Sequence, residues 1–410
     1  MNKDVIEVSY FMIFQDNTIR DGMQQKDVSK DIITRKRVLK KLSEINIQSV
    51  EIGMCTSHED LRLLESFIKI LRNDQEAIIL TRMIKNDIDL VISLQKKFKN
   101  VVLKLLVPVS NLHIEIKLDI NKNDYLNKLT DTLNYLSKNQ VKFEICLEDA
   151  TRADLDYLFK VFELCNLYET RFVTVADTVG CATPSKYGQL IKNIVDKKYN
   201  FKVSAHCHND LGLGTANSLN AIENGAERVE TTFLGIGERA GNVPIDELVV
   251  ILNKNNICDC PISIKDIYTT SMVMKTILKI DISPMKPLLG ENFFIHESGI
   301  HQDGSLKDER MYQFILSSDI GENNKFDFSI SGISSSKVID KQFKKLLGSN
   351  NESIKEYTNY YRTLSKAIDG LTPEQFLSLY ELINIIERKE NKNDLHESYG
   401  LHQSLIEHGV

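Results

Sequence analysis

The chain has 410 residues, 42% hydrophobic and 26% charged, which is the composition of a folded globular protein of two or three domains. A net charge of −6 argues against a general binder of nucleic acid or other polyanions, and no apolar run approaches the roughly 20 residues of a membrane span. The start, MNKDVIEVSYFMIF, carries no signal-peptide succession, and seven cysteines without framework spacing point to reduced thiols and a cytoplasmic location.

Short β-rich runs predict strands near 11–16, 48–53, 77–81, 101–107, 141–147, 172–176, 201–206 and 228–233, each followed by a helical pattern. In one helix Val38, Leu39, Leu42 and Ile45 recur at helical spacing. In another Leu155, Leu158, Phe159, Phe162 and Leu164 do, with Thr151 as the expected cap. Eight strand–helix repeats over about 250 residues are the arithmetic of a (β/α)8 TIM barrel. The structural rival, a doubly wound open sheet, would not gather polar residues at every strand end. The α/β barrel is expected over 1–256, a linker or subdomain over 257–320, and a small, mostly helical C-terminal subdomain over 321–410. In the last, Phe376, Leu379, Tyr380, Ile383 and Ile386 form one buried face, and the final 20 or so residues are expected to be loose.

Five polar clusters could carry chemistry. In Ser204-Ala205-His206-Cys207-His208-Asn209-Asp210 the two histidines share one face of a strand end, where two imidazoles can ligate one divalent ion. Cys207 should face the other way and pack. Gln15-Asp16-Asn17-Thr18-Ile19-Arg20-Asp21-Gly22-Met23-Gln24 offers a carboxylate as third ligand and an arginine for an anionic substrate; an ordinary capped turn is the plainer alternative. Gly235-Ile236-Gly237-Glu238-Arg239-Ala240-Gly241-Asn242 is a ligand loop or a tight turn, and its spacing does not match a dinucleotide fingerprint. Phe294-Ile295-His296-Glu297-Ser298-Gly299-Ile300-His301-Gln302-Asp303-Gly304 could supply acid/base groups or be a polar connection. Glu148-Asp149 reads on its own as a helix N-terminal acid pair.

Together the stretches DNTIRDGMQ, LEDATRAD, ADTVGCATP, HCHNDLGLGTANSLNAIENGAERVETT, GIGERAGN and HESGIHQDG resemble the acetyl-CoA-dependent 2-oxo-acid condensing enzymes, which include the isopropylmalate, homocitrate and citramalate synthases. They cover most of 14–312 in the family's order. The resemblance implies a metal-dependent barrel with C-terminal subdomains. One divalent ion (Mg, Mn or Zn) would be bound by Asp21, His206, His208 and Asn242, with acetyl-CoA as cosubstrate. It implies that Arg20 meets the 2-oxo group and Thr183 the substrate carboxylate, with Gln24, Ser110 and His113 in the substrate site. Glu148, His301 and Tyr312 match the acid/base group. HESGIHQDG would reach the active site of a second subunit, so a homodimer is implied, with no nucleic-acid or membrane partner.

Three departures stand out. Met23 replaces the usual Glu after RDG, so GMQ partly resembles the lyase branch. Cys146 stands where a small residue is common, and SGISSSK (331–337) matches the family only loosely. No feedback domain is expected after about residue 390. ADTVG and LGIGERAGN resemble homocitrate synthases; Ser110-Asn111-Leu112-His113, Lys117-Leu118 and HQDG resemble isopropylmalate synthases. The reading leans narrowly to homocitrate synthase and 2-oxoglutarate, with 2-isopropylmalate, citramalate or Re-citrate synthase as alternatives. A hydroxyacyl-CoA lyase or an inactive regulatory relative stands further off.

Overall fold

A computed structural model describes residues 11–322 and 327–390, the last five by backbone alone. Eight parallel strands close into a barrel: β1 (Ile13–Asp16), β2 (Ser49–Met54), β3 (Glu76–Thr81), β4 (Val101–Pro108), β5 (Phe143–Glu148), β6 (Phe172–Asp177), β7 (Lys202–Cys207) and β8 (Arg228–Thr231). Closure is direct, with Ile13 to Asp16 opposite Arg228 to Thr231. The connecting helices are α1 (Ile32–Leu42), α2 (His58–Ile68), α3 (Lys85–Lys97), α4 (Lys122–Lys138), α5 (Leu155–Asn166), α6 (Pro184–Val195), α7 (Gly214–Glu223) and α8 (Ile245–Asn255). The (β/α)8 expectation therefore stands.

Each strand buries one set of side chains under the helices and sends the other into the barrel. On β4, Leu103, Leu105 and Val107 are fully buried, while the alternate residue Lys104 turns inward. The interior layer it enters is ionic. Lys104 Nζ contacts Glu230 and lies 3.7 Å from Glu51 and 3.8 Å from Glu144. Arg228 forks onto Glu144 at 2.7 and 2.9 Å. None of these five side chains is more than 2% exposed. Burial works against the Lys104 ammonium, but Glu230, Glu51 and Glu144 outweigh it and hold its pKa above the usual lysine value.

Two local expectations change. The cap of α5 is Asp154, which accepts from Tyr157 N, not Thr151. Thr151 lies in the preceding short turn, where its hydroxyl donates to Asp177 at 2.7 Å. The Glu148-Asp149 pair stands at the start of that short 3-10 turn, Ala150–Arg152, with Asp149 at its cap position but making no side-chain cap bond. The barrel unit also runs past the expected end at 256, to Ile282. A further helix, α9 (Ile264–Leu278), packs on α1 and α8 and so belongs to it.

The second unit begins at Ser283. It contains a two-stranded parallel pair, β9 (Ile295–His296) with β10 (Asp327–Phe328), and helices α10 (Gly299–Lys307), α11 (Ser336–Leu347), α12 (Ile354–Ala367) and α13 (Pro373–Glu390). Its core is Ile339, Phe343, Ile354, Tyr361, Leu371 and Phe376, with Tyr380 packed against it. Leu379 and Ile383 are half-buried. The Ile386 side chain and the final residues expected to be loose lie outside the described residues.

Candidate metal centre and barrel mouth

The polar strand ends meet at the C-terminal mouth of the barrel, where active sites of this architecture form. β1 ends in a turn built by its own side chains. Asp16 accepts from Thr18 N at 3.0 Å and Thr18 Oγ1 at 2.8 Å, and burial pushes its carboxyl up to about 7. The turn closes with Asp21 N on Asn17 O at 2.9 Å. That delivers Asp21 to the mouth opposite the end of β7.

There Asp21 Oδ2 lies 3.6 Å from His206 Nε2 and 3.9 Å from His208 Nε2. The two imidazoles stand edge to face at 5.1 Å. The three side chains are buried, and their ligand atoms lie within 4.8 Å of one another. Cys207, between the histidines, is buried on the opposite face with its thiol pushed up to about 12 by burial. Burial and the neighbouring His206 push His208 down to about 4, so the His208 imidazole is neutral near pH 7 and has one nitrogen lone pair free for a cation. Burial alone would raise Asp21, but Arg20 and the two imidazoles hold it below the usual carboxylate range.

Asn242 reaches the cluster through the loop after β8. It bridges His208 in antiparallel fashion, and its N–H donates to Gly235 O at 3.1 Å. Gly241 makes this turn feasible: its φ is +92°, and a Cβ would fall 2.0 Å from Gly235 O. Arg239 pins the loop to Asp210 at 2.8 and 2.9 Å and to Thr178 O at 2.7 Å. Asn242 Oδ1 and His208 Nδ1 are buried with no hydrogen-bond partner among the described residues. Two imidazoles, a carboxylate and an orphaned amide oxygen form a donor set that fits one divalent cation.

Arg20 flanks this cluster, its Nε on Glu51 and a terminal nitrogen 3.3 Å from Asp21. Glu148, ending β5, accepts from Lys117 at 2.8 and 3.0 Å and lies 3.3 Å from His113 Nδ1. Its neighbour Asp149 adopts a left-handed φ of +64° and is clamped by Arg152 at 2.8 and 2.9 Å. Ser110 is buried, and its hydroxyl accepts from His113 N at 3.3 Å. Thr183 is exposed ahead of α6. Gln24 is exposed, whereas the next residue, Gln25, accepts from Gly237 N at 3.2 Å.

His301 and Tyr312 belong to the second unit. Their rings stack at 4.2 Å with His296 alongside, 5.7 Å from His301. In the barrel, a pocket of about 360 Å³ opens at the ends of β2 to β5, lined in part by Met54, Leu106, Pro108, Leu118 and Glu148. Sequence reasoning missed Glu51 and Glu230 beneath the cluster. Their signal was a charged residue embedded in a strand otherwise fit for burial, as in SVEIGM and RVET.

Three comparisons bear on this arrangement. Residues 12–274 match the HMGL-like family model. The chain is 33% identical over 321 residues to a 2-isopropylmalate synthase of a Geobacillus strain, covering 76% of this chain and 62% of that protein. It is 35% identical over 317 residues to 2-isopropylmalate synthase 1 of Caldanaerobacter subterraneus, covering 76% and 80%. It is 31% identical over 388 residues to an (R)-citramalate synthase of Methanocaldococcus jannaschii, covering 90% and 77%. The chain thus spans less than two thirds of the Geobacillus relative. Among solved structures, hydroxymethylglutaryl-CoA lyase from Pseudomonas aeruginosa superposes with a TM-score of 0.55 at 15% identity, covering 67% of this chain and 94% of that one, a likeness of fold. Among the described residues no helix is long and apolar enough to cross a membrane.

Proposed function

The chain belongs to the HMGL-like family, and on that premise we propose that it condenses acetyl-CoA with a 2-oxo acid and hydrolyses the thioester, releasing an alkylmalate and free CoA. The observation that carries the reading is the buried Asp21–His206–His208 cluster, in a chain whose relatives are named as 2-isopropylmalate and citramalate synthases.

A divalent cation held by Asp21, His206, His208 and Asn242 would orient the 2-oxo acid and polarise its ketone. Arg20, aimed by its bond to Glu51, stabilises the negative charge that develops on the ketone oxygen. Thr183, Ser110, His113 and Gln24 stand as binding residues for the oxo acid. One of Glu148, His301 and Tyr312 removes a methyl proton from the acetyl thioester, directly or through water. The enolate carbon then bonds to the ketone carbon. Water cleaves the thioester, and CoA leaves as the thiol. His301 and Tyr312 are assigned to the site of a second copy, which makes the enzyme a homodimer.

For the oxo acid, the reading moves from 2-oxoglutarate to a monocarboxylic acid such as 2-oxoisovalerate. The names of the relatives support this, and so do the charges at the mouth. Arg20, Lys117, Arg152 and Arg239 each face a carboxylate, as does Arg82 on Asp87 at 2.7 Å. Lys128, which also lines the pocket, is exposed and hydrated, a weak selector for a second carboxylate. The pocket's Met54, Leu106 and Pro108 suit an uncharged, branched substituent.

The test is release of CoA thiol by purified, metal-supplemented protein. Acetyl-CoA is offered separately with 2-oxoisovalerate, pyruvate, 2-oxoglutarate and oxaloacetate. Release with 2-oxoisovalerate or pyruvate is expected. Release with 2-oxoglutarate or oxaloacetate alone would overturn the monocarboxylate reading, and silence with all four from folded, metal-bound protein would overturn the synthase reading.

A further inference from the structure

We propose that Glu230 is a positioning residue that orients His206 for the metal and fixes its tautomer, and that the ionic layer inside the barrel exists in part to hold Glu230 still. The inference rests on the metal-centre reading above. An imidazole can give only one nitrogen's lone pair to a cation; its proton must then sit on the other nitrogen and find an acceptor. His206 turns Nε2 toward Asp21. Its Nδ1 is buried, is not in hydrogen-bond alignment with any described group, and lies 3.2 Å from Glu230 Oε2. Glu230 is therefore the acceptor within reach.

Glu230 is itself gripped from several sides. Lys104 contacts its Oε1, Thr174 donates to the same oxygen at 2.7 Å, and Ser204 donates to it at 3.2 Å. Asn17 donates to Oε2 at 3.0 Å. Arg228 stands 3.8 Å from Oε1. These partners come from β4, β6, β7, β8 and the turn after β1, so each separate strand constrains one carboxylate. Oε1 is saturated by the layer, and Oε2 is left to serve Asn17 and His206. A carboxylate that only balanced the charge of Lys104 and Arg228 would not need its second oxygen beside a metal-facing histidine. Glu144, in the same layer, makes the contrast: it forks onto Arg228 and stands near Lys104, and its contacts do not include His206.

That contrast supplies the test. Full-length wild type, Glu230→Gln, Glu230→Asp and Glu144→Gln are titrated with Mn2+, with the free-ion electron paramagnetic resonance signal giving Kd; melting temperature is recorded for each without metal. Glu230→Gln can turn its amide N–H toward Nδ1 and favour the wrong tautomer. Glu230→Asp keeps the counter-charge for Lys104 but withdraws the oxygen by one methylene. Both are expected to weaken Mn2+ binding by about 10- to 100-fold, while Glu144→Gln lowers melting temperature and leaves Kd within about twofold. The coordination signature of bound Mn2+ should also change in the Glu230 variants alone. Equal Kd values for wild type and Glu230→Asp would overturn the inference, as would an equal loss of affinity in Glu144→Gln. If wild type itself binds no Mn2+, the metal-centre reading fails first and takes this one with it. Should Glu230→Gln not fold, Glu230→Asp decides the matter.

Discussion

Lys104→Met removes the one ammonium that Glu230, Glu51 and Glu144 share, from a position only 1% exposed. The thioether fills much of the stem's volume, so the loss is chiefly electrostatic. Breaking a buried ion pair from one side leaves uncompensated charge and costs about 3–5 kcal/mol. An exposed lysine gives the scale for comparison. Lys40, 3.7 Å from Glu44 and 70% exposed, should lose roughly 0.3–0.5 kcal/mol on truncation. At roughly 2–4 °C per kcal/mol for a domain of this size, Lys104→Met should lower the melting temperature by about 6–20 °C, and Lys40→Ala should leave it almost unchanged. Circular dichroism melts at pH 5 to 8 provide the assay. The pH dependence has a definite sign. In the variant an orphaned carboxylate takes a proton when folded and releases it on unfolding above about pH 4.3, so the folded state binds more protons and stability rises as pH falls. The gap from wild type should therefore narrow toward pH 5. A loss under about 1 kcal/mol that is flat with pH would refute an ionised layer.

Other changes test the mouth. His206→Ala should abolish Mn2+ binding and turnover while the protein still melts cooperatively; retained Mn2+ affinity would remove His206 from the ligand set. Gly237→Ala would place a Cβ 2.2 Å from Asn242 Nδ2 and push that side chain off the cluster. Mn2+ affinity should fall roughly 10-fold, and an unchanged titration would show that Asn242 is not a ligand. His208 carries a pH signature in metal-free protein, since its ordinary value of 6.5 drops to about 4 on folding. Above 6.5 neither state is protonated. Between 6.5 and about 4 the unfolded chain holds a proton that the folded one does not, so stability falls as pH falls, by about 3 kcal/mol in all. Urea midpoints of wild type against His208→Gln should diverge over that window, and parallel curves would contradict the burial argument.

Much of the barrel is legible from periodicity. The eight strands lie within about two residues of their expected places, because short β-branched runs between amphipathic helices have few other arrangements. The pairing of His206 with His208 follows from strand alternation alone. What escaped was set by contacts distant in sequence. The ionic layer joins Glu51, Lys104, Glu144, Arg228 and Glu230 from four strands, and each residue by itself reads as an ordinary polar position. The Thr151 cap failed because Asp154, nearer the helix start, competes for the same N–H groups, and Thr151 is drawn to Asp177 instead. Gln25 rather than Gln24 meets the Gly237 loop because the turn after Asp21 adds a short 3-10 segment over Gly22–Gln24, which a reading of strands and helices alone cannot place.

The ionic barrel interior also bears on heat capacity. Barrel interiors of this architecture are usually layers of branched hydrocarbon, whose hydration on unfolding makes the stability curve strongly domed. Here the corresponding volume holds Lys104, Arg228 and three glutamates. Unfolding that layer exposes charge, which lowers rather than raises heat capacity. The desolvation penalty of such groups also shrinks on warming. The barrel should therefore have a flatter stability curve than its length implies, conceding less to cold and keeping more of its stability as temperature rises.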